Sequence, residues 1–252
     1  MKKFLILGGE STLAKYFLER YGKLSVPLNK KECNITNIKN LEEVIKKNNC
    51  KYVINCAAIT DIQYSEINPE ECFETNSIAV YQIGRLCDKY NKKLIHLSSD
   101  YALHPINVYG YSKLISEGVI DLTKNLVIRT SFYSPKYFII KSLFDSKKTK
   151  VYKNVFFNPV SVNRLINEIY NNRDKKGMLS IFSDKKISKY TFAIKIAKTF
   201  GLNRKLIHPI NLINRPGQTP LPLNSYVKSD VKISIDKDLF LFKEISNVFL
   251  RH

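Results

Sequence analysis

Long apolar runs, tryptophan and paired cysteines are all missing from this chain. A helix that crosses a bilayer needs about 20 consecutive apolar residues, and the sequence of 252 residues contains no such run. Its five cysteines are irregularly spaced, without a CxxC pair or a Cys/His cluster, so we interpret them as buried thiols in a reducing compartment. The apolar run near the basic N-terminus is too short for a signal peptide. We therefore expect a cytoplasmic protein with no metal and no membrane partner.

Acidic residues are also scarce, at 22 Asp and Glu against 41 Lys and Arg, which gives a formal net charge of +19. A charge of this size raises the question of nucleic-acid binding, but the lysines are scattered over every predicted helix instead of forming one stripe. A basic surface also attracts small anions such as dinucleotides and sugar nucleotides. The charge pattern therefore argues against a nucleic-acid partner and favours a small anionic ligand.

Short apolar runs alternate with amphipathic segments in the first half of the chain. The apolar runs are typical of buried strands and cover residues 2–7, 24–28, 52–57, 93–97 and 125–129. Helical periodicity predicts helices at residues 12–21, 38–47, 69–90 and 109–122. Because the strands are apolar nearly throughout and alternate with helices, they predict a parallel sheet covered on both faces. The predicted fold is a Rossmann-type doubly wound α/β domain.

The regular alternation ends near residue 131. Two further helices are predicted at residues 160–171 and 189–200, and residues 211–230, rich in Pro, Asn and Ser, are interpreted as a loop. Asn37 and Ser188 stand directly before predicted helices. We expect both to act as N-caps, because their side-chain oxygens can accept hydrogen bonds from free helical N–H groups.

A strand, a turn with glycine and a helix open the chain. In such a unit the helix N-terminus presents free N–H groups and a positive dipole end to a pyrophosphate. Gly8 occupies the first position of a GxxGxxG spacing, but Ser11 and Ala14 occupy the other two, so an ordinary strand–helix turn remains an alternative. The next strand leads into Lys30 and Lys31, without the acidic residue that binds a ribose in NAD sites. Lys30 suits a 2′-phosphate and predicts NADPH in preference to NADH, the alternative being that these lysines are simply solvated.

Hydroxyl groups and a Tyr/Lys pair follow the fourth predicted strand. Ser99 lies where the strand ends, the place where ligands bind in open α/β sheets, and Tyr109 and Lys113 are spaced to lie on one face of the next helix. A nearby cation lowers the pKa of a phenol from about 10, so we expect Tyr109 to exchange a proton with a carbonyl or alcohol oxygen. Ser99 would hold that oxygen by a hydrogen bond. An isolated YxxxK pair is usually structural, and the position after Ser99 is what favours catalysis here.

Several segments together resemble one known superfamily. NITNIKNLEEVIKKNNCKYVINCAAIT, LIHLSSDYAL and NVYGYSKLISE are similar to the extended short-chain dehydrogenases/reductases, and most similar to the dTDP-4-dehydrorhamnose reductase family. The similarity covers about residues 2–135 and continues more loosely beyond them. It implies an NAD(P)-binding Rossmann domain at residues 1–135 and a small substrate-binding α/β region at residues 136–252, partly interleaved with it. It also implies an NAD(P)H-dependent reductase of a nucleotide-linked 4-keto-deoxysugar, in surface-polysaccharide sugar biosynthesis.

The resemblance also implies which residues form the site. The catalytic set is Ser99, Tyr109 and Lys113. Together with Lys30, the residues expected at the cofactor are Gly8, Ser11, Thr12, Leu13, Asn34, Ile35, Cys56, Ala57, Ala58, Thr60, Asn76, Tyr109 and Lys113. The residues expected at the nucleotide sugar are Ser99, Asp100, Tyr101, Phe132 and Arg215.

One departure from the family pattern keeps other functions open. Only seven residues separate Tyr101 from Tyr109, where the family has a longer loop that helps to cover the sugar. A non-catalytic subunit that binds the cofactor or a sugar nucleotide is therefore an alternative, although the intact Ser/Tyr/Lys set opposes it. An epimerase or dehydratase of the same superfamily is another, and dehydration is disfavoured because Asp100 is the only carboxylate directly beside the serines. Relatives include dimers, so the resemblance also suggests a homodimer.

Overall fold

The computed structural model of the protein describes residues 2–246. Its strands are β1 (Phe4–Leu7), β2 (Ser25–Leu28), β3 (Tyr52–Asn55), β4 (Lys93–Leu97), β5 (Leu126–Thr130), β6 (Phe132–Tyr133), β7 (Thr149–Tyr152), β8 (Phe156–Phe157), β9 (Val160–Ser161), β10 (Gly177–Ile181), β11 (Ile187–Ser188) and β12 (Ile207–Ile210). Its helices are α1 (Thr12–Tyr21), α2 (Ile38–Lys47), α3 (Ile62–Ile67), α4 (Pro69–Phe73), α5 (Ala79–Lys89), α6 (Val108–Gly118), α7 (Phe138–Phe144), α8 (Val162–Asn171), α9 (Lys189–Phe200) and α10 (Ile235–Ser246). A π-helical segment, Glu74–Ile78, joins α4 to α5.

Six strands form one sheet in the order β10-β5-β4-β3-β1-β2. β1 pairs in parallel with both β2 and β3, and β4 pairs in parallel with both β3 and β5. All residues of β1 and β3 are buried, as expected for strands that helices cover on both faces. The order reverses direction between β1 and β3, and ligands of doubly wound folds bind at such a switch point. The predicted Rossmann-type fold is confirmed.

Side-chain caps define where several helices begin. Ser11, Asn37, Asn107 and Ser188 each accept a hydrogen bond from the N–H three residues further on. These bonds satisfy donors that have no partner inside the helix. The N-caps expected at Asn37 and Ser188 are therefore confirmed.

Some predicted boundaries are wrong, because pairing and packing between distant segments decide them. The helix predicted over residues 69–90 widens into the π-helical segment. The helix predicted from residue 160 begins two residues later, because β9 pairs there with β6. The helix predicted to residue 122 ends at Gly118. Periodicity also did not predict α3, α7 and α10, or the strands of two residues.

The chain divides into two compact units. The first comprises residues 1–129 and 166–179, and the second comprises residues 130–165 and 180–252. The core of the second unit contains Tyr133, whose ring lies 5.1 Å from that of Phe192 and 5.0 Å from that of Phe242. Within residues 2–246, no helix is both long and apolar enough to span a bilayer, and no three His, Cys, Asp or Glu residues are grouped so as to hold a metal ion. The assignment of cofactor binding to residues 1–135 and substrate binding to residues 136–252 stays a prediction.

Candidate active site

The residues that follow β1 form a tight turn, which packs against the residues that follow β3 in the first unit. Gly8 follows β1 with φ of 75°, and a Cβ there would lie 2.7 Å from the backbone nitrogen of Ala57. Only glycine fits this position, because it tolerates the left-handed conformation and has no side chain to clash. The Cys56 N–H donates to the Leu7 carbonyl at 2.9 Å. The glycine is therefore required by the close packing of this turn against the segment after β3, at the edge of the sheet where a pyrophosphate binds in such folds.

A cavity of about 310 Å³ lies along this edge of the sheet, a volume typical of small-molecule sites. It contains a glycine turn, the start of α1 and one lysine, which together suit the phosphates of a dinucleotide. Its lining residues are Gly8, Glu10, Ser11, Asn29, Lys30, Asn34, Ile35, Thr36, Cys56, Ala57, Ala58, Ile59, Glu71, Glu74 and Thr75.

The cavity brings together much of the predicted cofactor set. The predicted residues that line it are Gly8, Ser11, Lys30, Asn34, Ile35, Cys56, Ala57 and Ala58. The predicted residues outside its lining, among those that the structure describes, are Thr12, Leu13, Thr60, Asn76, Tyr109 and Lys113. Sequence reasoning missed the other lining residues, which are Glu10, Asn29, Thr36, Ile59, Glu71, Glu74 and Thr75. The last two lie in a π-helical segment, a feature often found at functional sites, which the sequence pattern did not indicate.

Ser11 and Cys56 contact each other on the wall of this cavity. The Ser11 Oγ accepts a hydrogen bond from the Ala14 N–H at 3.3 Å, and the side chains of Ser11 and Cys56 are hydrogen-bonded. Burial raises the pKa of the Cys56 thiol to about 12. Cys56 is therefore a neutral thiol that forms part of the wall, and not a reactive thiolate.

The loop after β2 is ordered by its own polar groups. The Asn29 Oδ1 accepts hydrogen bonds from the N–H groups of Lys31 and Glu32, at 2.9 and 3.1 Å. The Glu32 carboxylate in turn accepts one from the Asn29 N–H at 2.8 Å. This arrangement engages the one acidic side chain of the loop with the backbone, while Lys30 lines the cavity.

The start of α6 is held by two side chains. The Asn107 Oδ1 accepts from the Gly110 N–H at 2.8 Å, and the Glu66 carboxylate, from α3, accepts from the Val108 N–H at 2.6 Å. The short loop before α6 passes directly over Gly110, where a Cβ would lie 3.0 Å from the Tyr101 carbonyl oxygen. Tyr109, the second residue of α6, is thus placed by contacts on both sides of the helix start.

Tyr109 and Ser99 are hydrogen-bonded through their side chains. Ser99 is buried and its Oγ also donates to the Asp100 carboxylate at 2.9 Å, while the Tyr101 ring lies edge-on to the Tyr109 ring at 5.8 Å. Burial raises the pKa of Tyr109 to about 12; the Asp100 charge adds to this, and the bond to Ser99 opposes it. The expected lowering of the Tyr109 pKa is therefore wrong for this structure, because the cost of burying a phenolate dominates.

Lys113 lies on α6 as predicted, four residues after Tyr109, and is buried. Its Nζ donates to the Leu97 carbonyl, at the end of β4, at 2.7 Å. Burial lowers the pKa of Lys113 to about 8, although the nearby Glu117 carboxylate works in the opposite direction. Lys113 is therefore a cation at neutral pH that a modest rise in pH neutralises.

A buried carboxylate supports the residues around Lys113. Glu117 forms a bidentate ion pair with Arg129, at 2.8 and 2.6 Å. It also accepts a hydrogen bond from the Ser98 Oγ at 2.6 Å. Because Ser98 precedes Ser99 at the end of β4, this contact fixes the backbone from which Ser99 extends.

Asn76, which was predicted at the cofactor, lies outside the cavity lining. Its side chain is fully buried, and its amide both donates to and accepts from the backbone of Ile59, each at 2.9 Å. The same amide donates to the Ser112 Oγ at 3.0 Å. These bonds tie the loop after β3 to α6, which is a positioning role.

Two predicted substrate residues, Phe132 and Arg215, belong to the second unit. Phe132 lies in β6, which pairs with β9. Arg215 is exposed in the loop predicted over residues 211–230, where its carbonyl accepts from the Gln218 N–H at 3.1 Å. Their part in binding a sugar nucleotide stays a prediction.

The parallel sheet with its switch point and the glycine turn after β1 define a Rossmann-type α/β protein. Within that class, the family model described as RmlD substrate binding domain matches residues 1–235, so the chain belongs to this family.

Curated relatives match shorter stretches. The "Probable low-salt glycan biosynthesis reductase Agl14" of Haloferax volcanii is 32% identical over 117 residues, which cover 40% of this chain and 39% of that protein. A dTDP-4-dehydrorhamnose reductase of Mycolicibacterium smegmatis is 28% identical over 130 residues, 44% of this chain and 38% of that protein. The chain thus spans about two fifths of the length of these relatives.

A solved structure covers nearly the whole chain. The crystal structure of dTDP-4-dehydrorhamnose reductase from Bacillus anthracis, in complex with NADP, superimposes with a TM-score of 0.87. It covers 97% of this chain and 100% of its own, at 21% identity. This likeness shows that the two proteins share the fold.

Proposed function

We propose that this protein is an NADPH-dependent reductase of a nucleotide-linked 4-keto-deoxysugar, acting in surface-polysaccharide sugar biosynthesis. The observation that carries the proposal is the hydrogen-bonded pair of Ser99 and Tyr109, one helical turn from the buried cation of Lys113. The family match and the similarity to reductases of dTDP-4-dehydrorhamnose and of glycan biosynthesis support the same substrate class.

The three side chains have distinct tasks in reduction. When bound, a nicotinamide cofactor would supply the hydride that reduces the carbonyl carbon. Tyr109, whose phenol stays protonated at neutral pH, donates this proton to the carbonyl oxygen; because its raised pKa makes the phenol a weak acid, the transfer depends on stabilisation of the phenolate that forms. Ser99 hydrogen-bonds the same oxygen, and the Lys113 charge stabilises the phenolate that forms. Solvent then returns a proton to Tyr109.

NADPH is the proposed cofactor, in preference to NADH. Lys30 lines the cavity after β2, and the neighbouring Glu32 carboxylate is engaged with the loop backbone. A cation at this place favours a 2′-phosphate, whereas an acidic residue would favour a free ribose hydroxyl. The complex of the Bacillus anthracis relative with NADP supports this choice.

Replacing Tyr109 by phenylalanine tests the catalytic assignment. In an assay of NADPH oxidation against a panel of 4-keto-sugar nucleotides, Tyr109→Phe is expected to lower kcat by about 100-fold or more, since a general acid contributes about 10²–10⁴-fold. The Kd for NADPH, measured by fluorescence titration, should change little. Tyr111→Phe is the matched control, because Tyr111 lies on the same helix with its side chain 49% exposed; it should turn over like the parent. Undiminished activity of Tyr109→Phe would contradict the assignment.

A non-catalytic subunit is the second candidate, favoured by the short loop that passes over Gly110. The same panel distinguishes the two functions. NADPH binding without oxidation of NADPH in the presence of any keto sugar would support the subunit, and turnover with one of them supports the reductase.

The proposal also covers the cellular location and the oligomeric state of the protein. We propose a cytoplasmic enzyme, where nucleotide sugars and NADPH are available, and a homodimer, as the family resemblance suggests. Sedimentation velocity at micromolar concentration measures the assembly directly, and a single monomeric species would overturn the homodimer.

A further inference from the structure

A buried chain of hydrogen bonds runs from β3 to the helix that carries the catalytic pair. The Ala57 N–H donates to the Asn55 Oδ1 at 3.1 Å, and the Asn55 amide lies 3.4 Å from the His96 Nδ1. On the other side of the ring, the His96 Nε2 lies 3.0 Å from the Ser116 Oγ. The Ser116 hydroxyl donates to the carbonyl of Lys113 at 2.7 Å. All five residues lie in the first unit.

The partners assign the proton on His96. The single hydroxyl hydrogen of Ser116 goes to the Lys113 carbonyl, which only accepts. The Ser116 oxygen must therefore accept from an Nε2–H, and the Nδ1 is left to accept from the Asn55 amide. The ring is thus neutral. Burial, reinforced by the charge of Lys113, holds the pKa of His96 well below its usual range, which agrees with this assignment.

Lys113 is fastened to β4 at two points, by its backbone carbonyl and by its ammonium group. Its backbone carbonyl is linked to His96 on β4 through Ser116, and its Nζ donates to the carbonyl of Leu97, the next residue of β4. A helix fixed to a strand in this way cannot slide or rotate without breaking a buried hydrogen bond, which leaves a buried polar group without its partner.

We propose that neutral His96 is a positioning residue, which sets the register of α6 on β4 and so places Lys113 and Tyr109 against the cofactor edge of the sheet. The inference rests on the proposed reductase function. Because Asn55 and Ala57 stand at the end of β3, the same chain links that edge to the catalytic helix. His96 touches neither substrate nor cofactor in this role and acts through Lys113.

The substitutions His96→Met and His96→Gln separate positioning from packing. Methionine fills similar space without hydrogen bonds, whereas glutamine can again donate to Ser116. We expect His96→Met to lower kcat by about tenfold, since small misplacements of catalytic groups reduce rates strongly, with the KM for the sugar nucleotide and the Kd for NADPH within twofold of the parent. His96→Gln should recover most of the lost kcat.

Ile95→Val is the matched control, since Ile95 is a fully buried neighbour on β4 outside the network. It should lower the melting temperature while kcat stays at the parental value. If His96→Met keeps the parental kcat while Tyr109→Phe is inactive, the positioning role is overturned and the reductase function stands. Equal losses in His96→Met and His96→Gln would also overturn it, because packing alone would then explain the effect.

Ser116→Ala decides the case if the His96 variants do not fold. It removes one hydroxyl and leaves the imidazole in place, so we expect a folded protein with kcat reduced severalfold and unchanged NADPH binding. A parental kcat for Ser116→Ala would overturn the proposal. A severalfold lower kcat of Ser116→Ala beside an inactive Tyr109→Phe, with NADPH still bound by both, supports the function and the positioning role.

Discussion

At the scale of the residue, the decisive property of Lys113 is the burial of its ammonium group. The i, i+4 spacing from Tyr109 can be predicted from the sequence, because helix geometry is local. The pKa values cannot, since they depend on what the rest of the chain places around each group. Burial raises the pKa of Tyr109 and lowers that of Lys113, and only the folded chain defines that burial.

The lowered pKa of Lys113 makes stability depend on pH. Below pH 8 the lysine is charged in both states, and its burial costs the fold about 3 kcal/mol. Between pH 8 and the unfolded value of 10.5 the unfolded chain binds more protons, so this cost decreases as pH rises. The free energy of unfolding of Lys113→Met, measured with urea, should therefore exceed that of the parent by an amount that shrinks from pH 7.5 to pH 10.

The prediction concerns how the difference in the free energy of unfolding changes with pH. Loss of the hydrogen bond to the Leu97 carbonyl also shifts this difference, but by an amount that does not vary with pH. Lys39→Met, at an exposed site on α2, is the control and should show no such slope. A flat difference for Lys113→Met would mean that the lysine keeps its ordinary pKa.

At the scale of the element, α6 shows what a sequence can and cannot predict. The segment around Tyr109 has helical periodicity, so the helix itself was predicted. Its start is fixed by Glu66, which is 42 residues away along the chain, and no local pattern indicates such a partner. For the same reason the strands of two residues, such as β6 and β9, escaped prediction: they exist only because distant segments pair.

The two caps of α6 should contribute measurably to stability. Glu66→Gln removes a charge that favours the helix N-terminus, and Asn107→Ala removes the hydrogen bond to the Gly110 N–H. Each is expected to lower the free energy of unfolding by about 1 kcal/mol, measured by urea denaturation. Glu43→Gln, an exposed position on α2, should have an effect close to zero. If Glu66→Gln and Glu43→Gln behave alike, the negative charge of Glu66 adds nothing to the stability of the helix start.

At the scale of the whole molecule, the chain leaves the first unit at residue 130 and returns to it for residues 166–179. The sequence gives the class of fold, because alternating buried strands and helices are a regular pattern. The sequence pattern does not predict that the chain returns to the first unit at residues 166–179, because this return depends on the pairing of strands and not on periodicity. Much of the cavity lining was predictable from the ends of strands, whereas Glu71, Glu74 and Thr75 became apparent only once α4 and the π-helical segment were in place.

The net charge of +19 and the single lysine in the cavity predict different salt effects on cofactor binding. The charge of the whole surface attracts both cofactors, NADPH more strongly because its 2′-phosphate adds negative charge, and salt screens this attraction over about 8 Å at physiological ionic strength. A contact between Lys30 and a 2′-phosphate exists only for NADPH. We therefore expect NADPH to bind more tightly than NADH, with a Kd that rises more steeply between about 50 and 300 mM NaCl, a range over which the screening length falls from about 14 to about 6 Å.

Lys30→Ala should remove most of the preference for NADPH and the steeper salt dependence, while the Kd for NADH stays close to that of the parent. Lys31→Ala removes the same charge from the next position, which is exposed and outside the cavity lining. It should weaken the binding of both cofactors slightly, and that of NADPH only a little more than that of NADH, because it changes only the surface field. Isothermal titration of NADPH and NADH at several salt concentrations measures the Kd of each cofactor and the salt dependence of each Kd. If Lys31→Ala loses the NADPH preference as fully as Lys30→Ala, the preference comes from the charge of the surface and not from a contact in the cavity.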